Sequence, residues 1–538
     1  MLYFFPLSFL FLAAYLFDFT APPWISFHKE IFLFIFLFVF LLISIFKEKY
    51  FIFNKNQLNA SLLLLITLLI IQTLCGFYYK PSVTYIPILY MFFCMLSMSI
   101  TNCKSIIKNW SLFLSINIVI ASSISSLICI AQSLNIWNDF FFIAKYDEYR
   151  RPGANLGQAN HLATLILMGI LSLIYISQKF SLNKFLIAFI SLLFLLGASI
   201  TESRTFLLAT TFLAFFYFYL ASKFQLKRIT YFIITAHLLV FFMMPMWPKI
   251  IEIFHNPTSS NALPELNTTS SMRLEMWRQL FEAIWIKPWF GWGVHGVTKA
   301  LNQVQSNYLT SSPFTYSHNI FIDICITFGV PIAIIVSTSF SLWFFKKIKE
   351  IKNIEQWYAI AILIAFLTHS LLEYPFAYTY FLFPVMIAIG TLESTNQLKI
   401  NKNIILPIFF IVSFICLILV KDYFFIEKKY SEIMFSNLNF QTNHSSNQST
   451  LLKHLDILNH SNKKIKKNNL LNENLEDFEF SALFVPRYIP QLNYILLLKY
   501  NDRNEEVCKQ LSIFKKIHKG NSTDAHLGEY FSEDICSD

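Results

Sequence analysis

At 538 residues the chain has room for several domains, but with 55% hydrophobic residues, 14% charged residues and 60 Phe against 12 Gly it is too apolar for a soluble globular protein. Lipid must be its main solvent. The formal charge of +10 is accounted for by lysines that anchor one membrane face, so no nucleic acid is needed to explain it.

The first element, residues 1–19, has the length of a signal peptide but no basic start and no convincing cleavage site, and reads as a membrane helix. Charge-free runs at 31–46, 61–73 and 205–221, with their neutral flanks, reach the roughly 20 residues that cross a bilayer core. Backbone groups in lipid must be satisfied internally, and runs without polar alternation select helices over barrel strands. The predicted spans are 1–19, 31–47, 59–76, 84–100, 110–134, 160–177, 185–199, 205–222, 229–246, 319–345, 357–372, 376–391 and 403–420. The expected fold is all-α and polytopic, with about 12–13 transmembrane helices.

Charge orients these spans. With the N-terminus inside, Lys47, Lys49, Lys55, Lys104, Lys108, Lys179, Lys184, Lys223, Lys227, Arg228, Lys346, Lys347, Lys349, Lys352, Lys399 and Lys402 fall on the cytoplasmic side. The opposite short loops hold only Lys29, Lys80, Lys145, Arg150, Arg151 and Arg204. Four regions follow: N-terminal helices 1–246, a large outward loop 247–318, C-terminal helices 319–420 and an outward tail 421–538.

In the large loop Leu274, Trp277, Phe281 and Ile284 recur at helical spacing, which predicts an amphipathic helix against the membrane surface, ended by Pro288, Gly291 and Gly293. The tail carries a low-complexity Asn/Ser/Lys stretch at 437–474 between helical patterns at 423–438 and 478–514, so it reads as a small helical domain. Six cysteines lie in or beside spans as small hydrophobes. Cys508 and Cys536 share the tail, where an oxidising compartment would permit a disulfide; their spacing leaves the pairing open.

Polar residues gather at the outward helix ends. Arg151 precedes Gln158, Asn160 and His161, which open the sixth span, so amides, an imidazole and a helix N-terminus converge in a way that suits an anion or plain interface capping. Arg204 sits in a tight outward turn, as a phosphate fork or a snorkelling anchor. Arg273 lies in the first turn of the amphipathic helix, where a cation opposes the dipole unless an anion is near. His318 and Asn319 stand where the loop re-enters the membrane, and His369 and Glu373, four apart, share a face at the outer end of the eleventh span. No phosphate-binding Gly-rich loop, dinucleotide fingerprint or His/Cys metal spacing occurs in the sequence, so neither a cofactor nor a metal is expected.

These clusters, in this order, resemble the O-antigen ligase superfamily, and within it the bacterial O-oligosaccharyltransferases of PglL type. Asn155-Leu156-Gly157-Gln158-Ala159-Asn160-His161-Leu162-Ala163 and His369-Ser370-Leu371-Leu372-Glu373-Tyr374-Pro375 resemble the two signatures of that branch. Ser203-Arg204-Thr205, the series from Arg273 to Gly293 and Ser317-His318-Asn319 resemble motifs of the whole superfamily, including lipopolysaccharide ligases and polymerases. The resemblance implies a metal-independent transferase of the bacterial inner membrane. It would take an undecaprenyl-diphosphate glycan as donor and a periplasmic, pilin-like protein as acceptor. It further implies His318 as general base, Arg204 and Arg273 on the diphosphate, and binding roles for Arg151, Gln158, Asn160, His161, Asn319, His369 and Glu373. A ligase or polymerase would share this site; a lipid-glycan transporter would instead need polar residues and broken helices at mid-membrane.

Overall fold

The computed structural model describes residues 3–136, 140–145, 151–224, 227–247, 249–250, 268–308, 314–393, 397–438, 451–463, 473–518 and 536. Arg150, the loop stretch 251–267 and most of the low-complexity stretch, at 439–450 and 464–472, lie outside the described residues.

The chain is an all-α polytopic membrane protein. Its first nine helices are α1 (Phe4–Leu16), α2 (Phe27–Lys47), α3 (Gln57–Leu74), α4 (Tyr85–Ser99), α5 (Trp110–Ser133), α6 (Ala159–Lys179), α7 (Lys184–Ile200), α8 (Arg204–Phe224) and α9 (Lys227–Met243). The loop contributes α10 (Thr268–Ile286) and α11 (Gly296–Val304); then come α12 (Ile320–Phe328), α13 (Val330–Lys349), α14 (Ile354–Ser370), α15 (Thr379–Leu392) and α16 (Lys402–Asn437). Among the described residues seven helices are long and apolar enough to cross a membrane, and five more are apolar but shorter.

Helix α6 is the centre of the bundle, with 94% of its most apolar window buried. It packs closely on α5 and α7 because small residues line the contacts: a Cβ on Gly169 would lie 2.5 Å from Ser122 Oγ of α5, and one on Gly197 of α7 3.1 Å from Ile166 Cδ1. Helix α14 runs antiparallel beside α6. At one end Thr164 meets His369 at 2.8 Å, midway Ser172 meets Tyr358 at 2.7 Å, and at the other end Lys179 pairs with Glu355. That second end also holds the Lys347–Glu393 pair at 3.3 Å and the chain's one described sheet, an antiparallel pairing of β1 (Tyr50–Asn54) with β2 (Gln397–Asn401), Tyr50 opposite Asn401. The strands join the α2/α3 loop to the α15/α16 loop and bring together lysines that the charge pattern assigns to one face.

Three elements depart from the sequence expectation. The span predicted at 319–345 is two helices, because Gly329 between α12 and α13 adopts φ +88°, a region open mainly to glycine, and a Cβ there would strike the Trp289 backbone. The break is received by the turn after α10, where Val330 N donates to Pro288 O at 2.7 Å. The apolar stripe read on α10 is only partly its packed face: Ile284 is buried with Met276, Leu280 and Ala283 on α11 and α12, and Trp277 packs against them, while Leu274 and Phe281 stay more than half exposed, along with Trp285. Two apolar faces are present, and only one meets protein. Finally, α16 runs 36 residues, well past the predicted span, and its extension buries Tyr423 and Ile426 against Phe27 and Leu455.

The tail forms α17 (Lys453–Ser461), α18 (Leu475–Phe484), α19 (Tyr488–Tyr500) and α20 (Asn504–Ile517) around Phe478, Ile495, Leu498, Val507 and Phe514. Cys508 and Cys536 are joined by a disulfide. The tail docks on the large loop through Asn302 and Gln510, 3.2 Å apart, and on the α3/α4 loop through His454. His454 is 2% exposed; its backbone N–H donates to Ser82 Oγ at 3.1 Å, so the Ser82 hydroxyl is free to donate to Nδ1 at 3.0 Å. Burial, helped by the nearby His295, lowers its pKa to about 3. The unfolded chain therefore binds the proton first: this contribution to stability is full above about 6.5, the ordinary histidine value, and declines as pH falls toward 3. Thermal melts of the detergent-solubilised protein should show Tm dropping between pH 6.5 and 4, and His454→Asn should flatten that dependence. An equal slope in both proteins would refute it.

Candidate functional site

The site is assembled at the end of the bundle opposite the sheet, and its first part is the loop into α6. Asn155 staples that loop: Oδ1 accepts from Ala144 N at 3.0 Å, Nδ2 donates to Leu16 O and Phe142 O at 2.6 Å each, and Lys29 donates to its carbonyl. Ala154 N donates to Gln132 Oε1 at 2.9 Å, and left-handed turns at Ala154 and Gly157 swing the chain into α6. Gln158 stands half-buried at the N-cap of α6 without a side-chain cap bond, and the first helical turn sends Asn160 and His161 inward.

Glu373 is the hub. Its side chain is 1% exposed, and its Oε1 accepts from Asn160 Nδ2 at 2.8 Å and from Arg273 Nη2, while Oε2 meets His318 Nδ1 at 2.7 Å. Arg273 Nη1 also donates to Leu372 O at 2.9 Å, so the guanidinium grips both the carboxylate and the end of α14. Burial alone would raise the Glu373 pKa, but the His318 hydrogen bond and the charges of His318 and Arg273 outweigh it and lower it to about 2. The carboxylate is thus ionised at any physiological pH.

His318 is held from several sides. It lies at φ +57°, strained for a residue with a Cβ, in a turn fixed by Trp277 Nε1 donating to Ser317 O at 2.7 Å and by Ser317 N donating to Asp323 Oδ1 at 3.1 Å. Asn319 caps α12, accepting from Phe321 N at 3.0 Å, and its Nδ2 reaches Leu371 O at 3.1 Å. The imidazole meets Tyr374 edge to face at 4.9 Å between centroids, and Tyr374 stacks on Tyr316 at 4.8 Å.

Cations surround this carboxylate. Arg151 Nη1 donates to Glu202 O at 2.9 Å and Thr201 O at 3.3 Å, which puts its charge within electrostatic reach of Arg204, Arg273 and Glu373. Arg204 opens α8 and is exposed. Three guanidinia against the two carboxylates of Glu373 and Glu202 still leave the locality positive, an arrangement that suits a multiply charged anion.

The structure therefore brings Arg151, Asn160, Arg204, Arg273, His318, Asn319 and Glu373 to one place. His161 and His369 form a deeper layer, 1% and 0% exposed with rings 5.4 Å apart, and His369 Nδ1 is bonded to Thr164. They lie beneath the Glu373 carboxylate rather than at the surface. Two neighbours were given no role from the sequence: Ser203, read there only as part of the Ser203-Arg204-Thr205 motif, which donates to Asn160 Oδ1 at 2.9 Å, and Thr164. The only signal for Thr164 is its place one helical turn after Asn160.

Three regions of the chain match described families. Residues 186–337 match the O-antigen ligase family, residues 357–525 the C-terminal part of a virulence factor membrane-bound polymerase family, and residues 152–176 the protein glycosylation ligase family. By these matches the chain is similar to the O-antigen ligase superfamily and, within it, to the protein glycosylation ligases of PglL type. Among curated relatives it is 33% identical over 282 residues to the ComP-specific O-oligosaccharyltransferase of Acinetobacter baylyi, covering 52% of this chain and 50% of that one. It is 23% identical over 286 residues to the general O-oligosaccharyltransferase of the same organism, again covering 52% and 50%. The chain spans about half the length of the curated relatives it matches.

Proposed function

We propose that the protein transfers an oligosaccharide en bloc from an undecaprenyl-diphosphate carrier to a Ser or Thr hydroxyl of a periplasmic protein such as pilin, at the outer face of the bacterial inner membrane and without a metal. The observation that carries the reading is the hydrogen bond between His318 and a buried, ionised Glu373 beside Arg151, Arg204 and Arg273. The match of residues 152–176 to the protein glycosylation ligase family supports a protein acceptor, and the lysine-rich opposite end and the tail disulfide support an outward, oxidising location.

In the proposed step the acceptor oxygen attacks the anomeric carbon of the first sugar, and His318 removes the hydroxyl proton. The bond between that carbon and the phosphate oxygen breaks, and the electron pair leaves with the lipid diphosphate. The arginines neutralise the charge that develops on it, and the proton passes from the imidazolium to the departing phosphate or to water. Transfer from one lipid-activated glycan needs no nucleotide.

Reconstitution of the full chain in liposomes with labelled donor and a pilin-like peptide tests this. Covalent label on the peptide, at the same rate with EDTA present, is the expected result. Label delivered only to lipid A-core or to another glycan would replace this reading with a ligase or polymerase, and label crossing the bilayer without transfer would replace it with a transporter.

A further inference from the structure

A base of this kind works only if its lone pair faces the acceptor. With Glu373 on Nδ1, the productive form of His318 carries its proton on Nδ1 and keeps Nε2 bare. What sets that form is visible by following the hydrogen bonds outward from Glu373. Phe206 N–H points at Ser203 Oγ at 3.4 Å, so the Ser203 hydroxyl hydrogen is turned away from its own helix and onto Asn160 Oδ1 at 2.9 Å. Asn160 must then present its amide nitrogen, not its oxygen, to Glu373 Oε1 at 2.8 Å. Arg273, which has donors only, occupies the same oxygen. With Oε1 supplied by donors and the carboxylate holding no hydrogen, Oε2 is an acceptor, and His318 can only donate to it. Ser203, Asn160 and Glu373 are each 7% exposed or less, so water does not scramble this polarity.

We propose that Ser203, Asn160 and Glu373 are positioning residues that form a one-way hydrogen-bond chain from the first turn of α8 to His318 and fix its Nδ1-protonated tautomer. The inference rests on the transfer reaction above for its kinetic consequence, but not for its structural one. It gives Asn160 and Glu373 work inside the protein, and it recruits Ser203, whose neighbour Arg204 faces outward. It also makes a polarity argument that charge alone does not. In Glu373→Gln the side-chain oxygen is claimed by Asn160 and Arg273, so its NH₂ turns to His318 Nδ1 and forces that atom to accept. The proton moves to Nε2, and the lone pair is lost from the working face.

The test pairs ¹⁵N-histidine spectra of the full protein in detergent with turnover. The His318 resonances, assigned by their disappearance in His318→Ala, should report protonated Nδ1 in the wild type and protonated Nε2 in Glu373→Gln. Turnover of Glu373→Gln should fall by about 10²-fold or more, toward the ~10⁴ lost when a catalytic histidine is held in the wrong tautomer, with donor KM changed less than kcat. Glu373→Asp should recover part of it, and Ser203→Ala should lose only a few-fold and show mixed tautomers. A wild-type resonance protonated at Nε2, or a Glu373→Gln variant that is folded and within threefold of wild-type turnover, would overturn the proposal. If the wild type transfers nothing to any peptide, the functional reading fails while the tautomer result still decides the chain.

Discussion

Replacing His318 by alanine is expected to lower transfer by about 10²–10⁴, the usual worth of general-base help, with donor affinity staying within a few-fold of wild type. The expectation follows from where the imidazole sits. It touches Glu373 and Tyr374, and the described arginines that would meet the diphosphate are anchored elsewhere, by Leu372 O for Arg273 and by Glu202 O for Arg151. Removing the ring therefore takes away proton transfer without dismantling the cationic group. Purified variant with saturating donor checks this against His369→Ala. Near-normal turnover by His318→Ala, with loss in His369→Ala, would move the base into the deeper histidine layer, which the geometry disfavours because His369 is fully buried beneath Glu373.

Arg273→Ala has the second large effect and a different signature: turnover falls about 10²–10³, as loss of a preorganised charge-stabilising donor does, and donor binding weakens as well. A guanidinium on a diphosphate acts before the transition state and more strongly within it. There is also a structural component, since the variant strips a charge partner from a carboxylate that is 1% exposed, leaving His318 and Asn160 to hold it. Arg273→Lys should rescue only part, because one ammonium does not reproduce the paired bonds to Glu373 Oε1 and Leu372 O. Equilibrium binding of labelled donor separates the two components. Unchanged affinity in a well-folded Arg273→Ala protein would remove Arg273 from the diphosphate.

Much of this was legible in the sequence because membrane insertion leaves a strong imprint. Spans follow from hydropathy, and polar clusters stand out against an apolar background at the ends of those spans. What was hidden has a common physical origin. Glu373 meets residues 55, 100 and 213 positions away, and no local pattern encodes which of several polar ends will share one carboxylate. The stripe on α10 was half of the picture because an apolar periodicity does not say whether protein or lipid covers it, and here the protein took Ile284 with Met276 and Leu280 while Leu274 and Phe281 were left out. The break at Gly329 was passed over because the run is apolar on both sides of it, although Gly329 and Pro331, which stands in the first turn of α13, together mark a helix boundary. The two five-residue strands were too short to rise above the spans that flank them.

That break at Gly329 determines what the proposed base is mechanically attached to. Helix α13 is the lipid-facing member of the pair, with 11% of its most apolar window buried, whereas α12, directly after His318 and Asn319, packs into α10 and α11. A transmembrane helix changes tilt as the surrounding hydrocarbon thins or thickens, and a continuous helix from 319 to 345 would carry His318 along with every such adjustment. Interrupted at Gly329 and latched to the Pro288 carbonyl, the lever is cut. The imidazole takes its coordinates from α10 and α11, and a change in bilayer thickness that tilts α13 need not reach it.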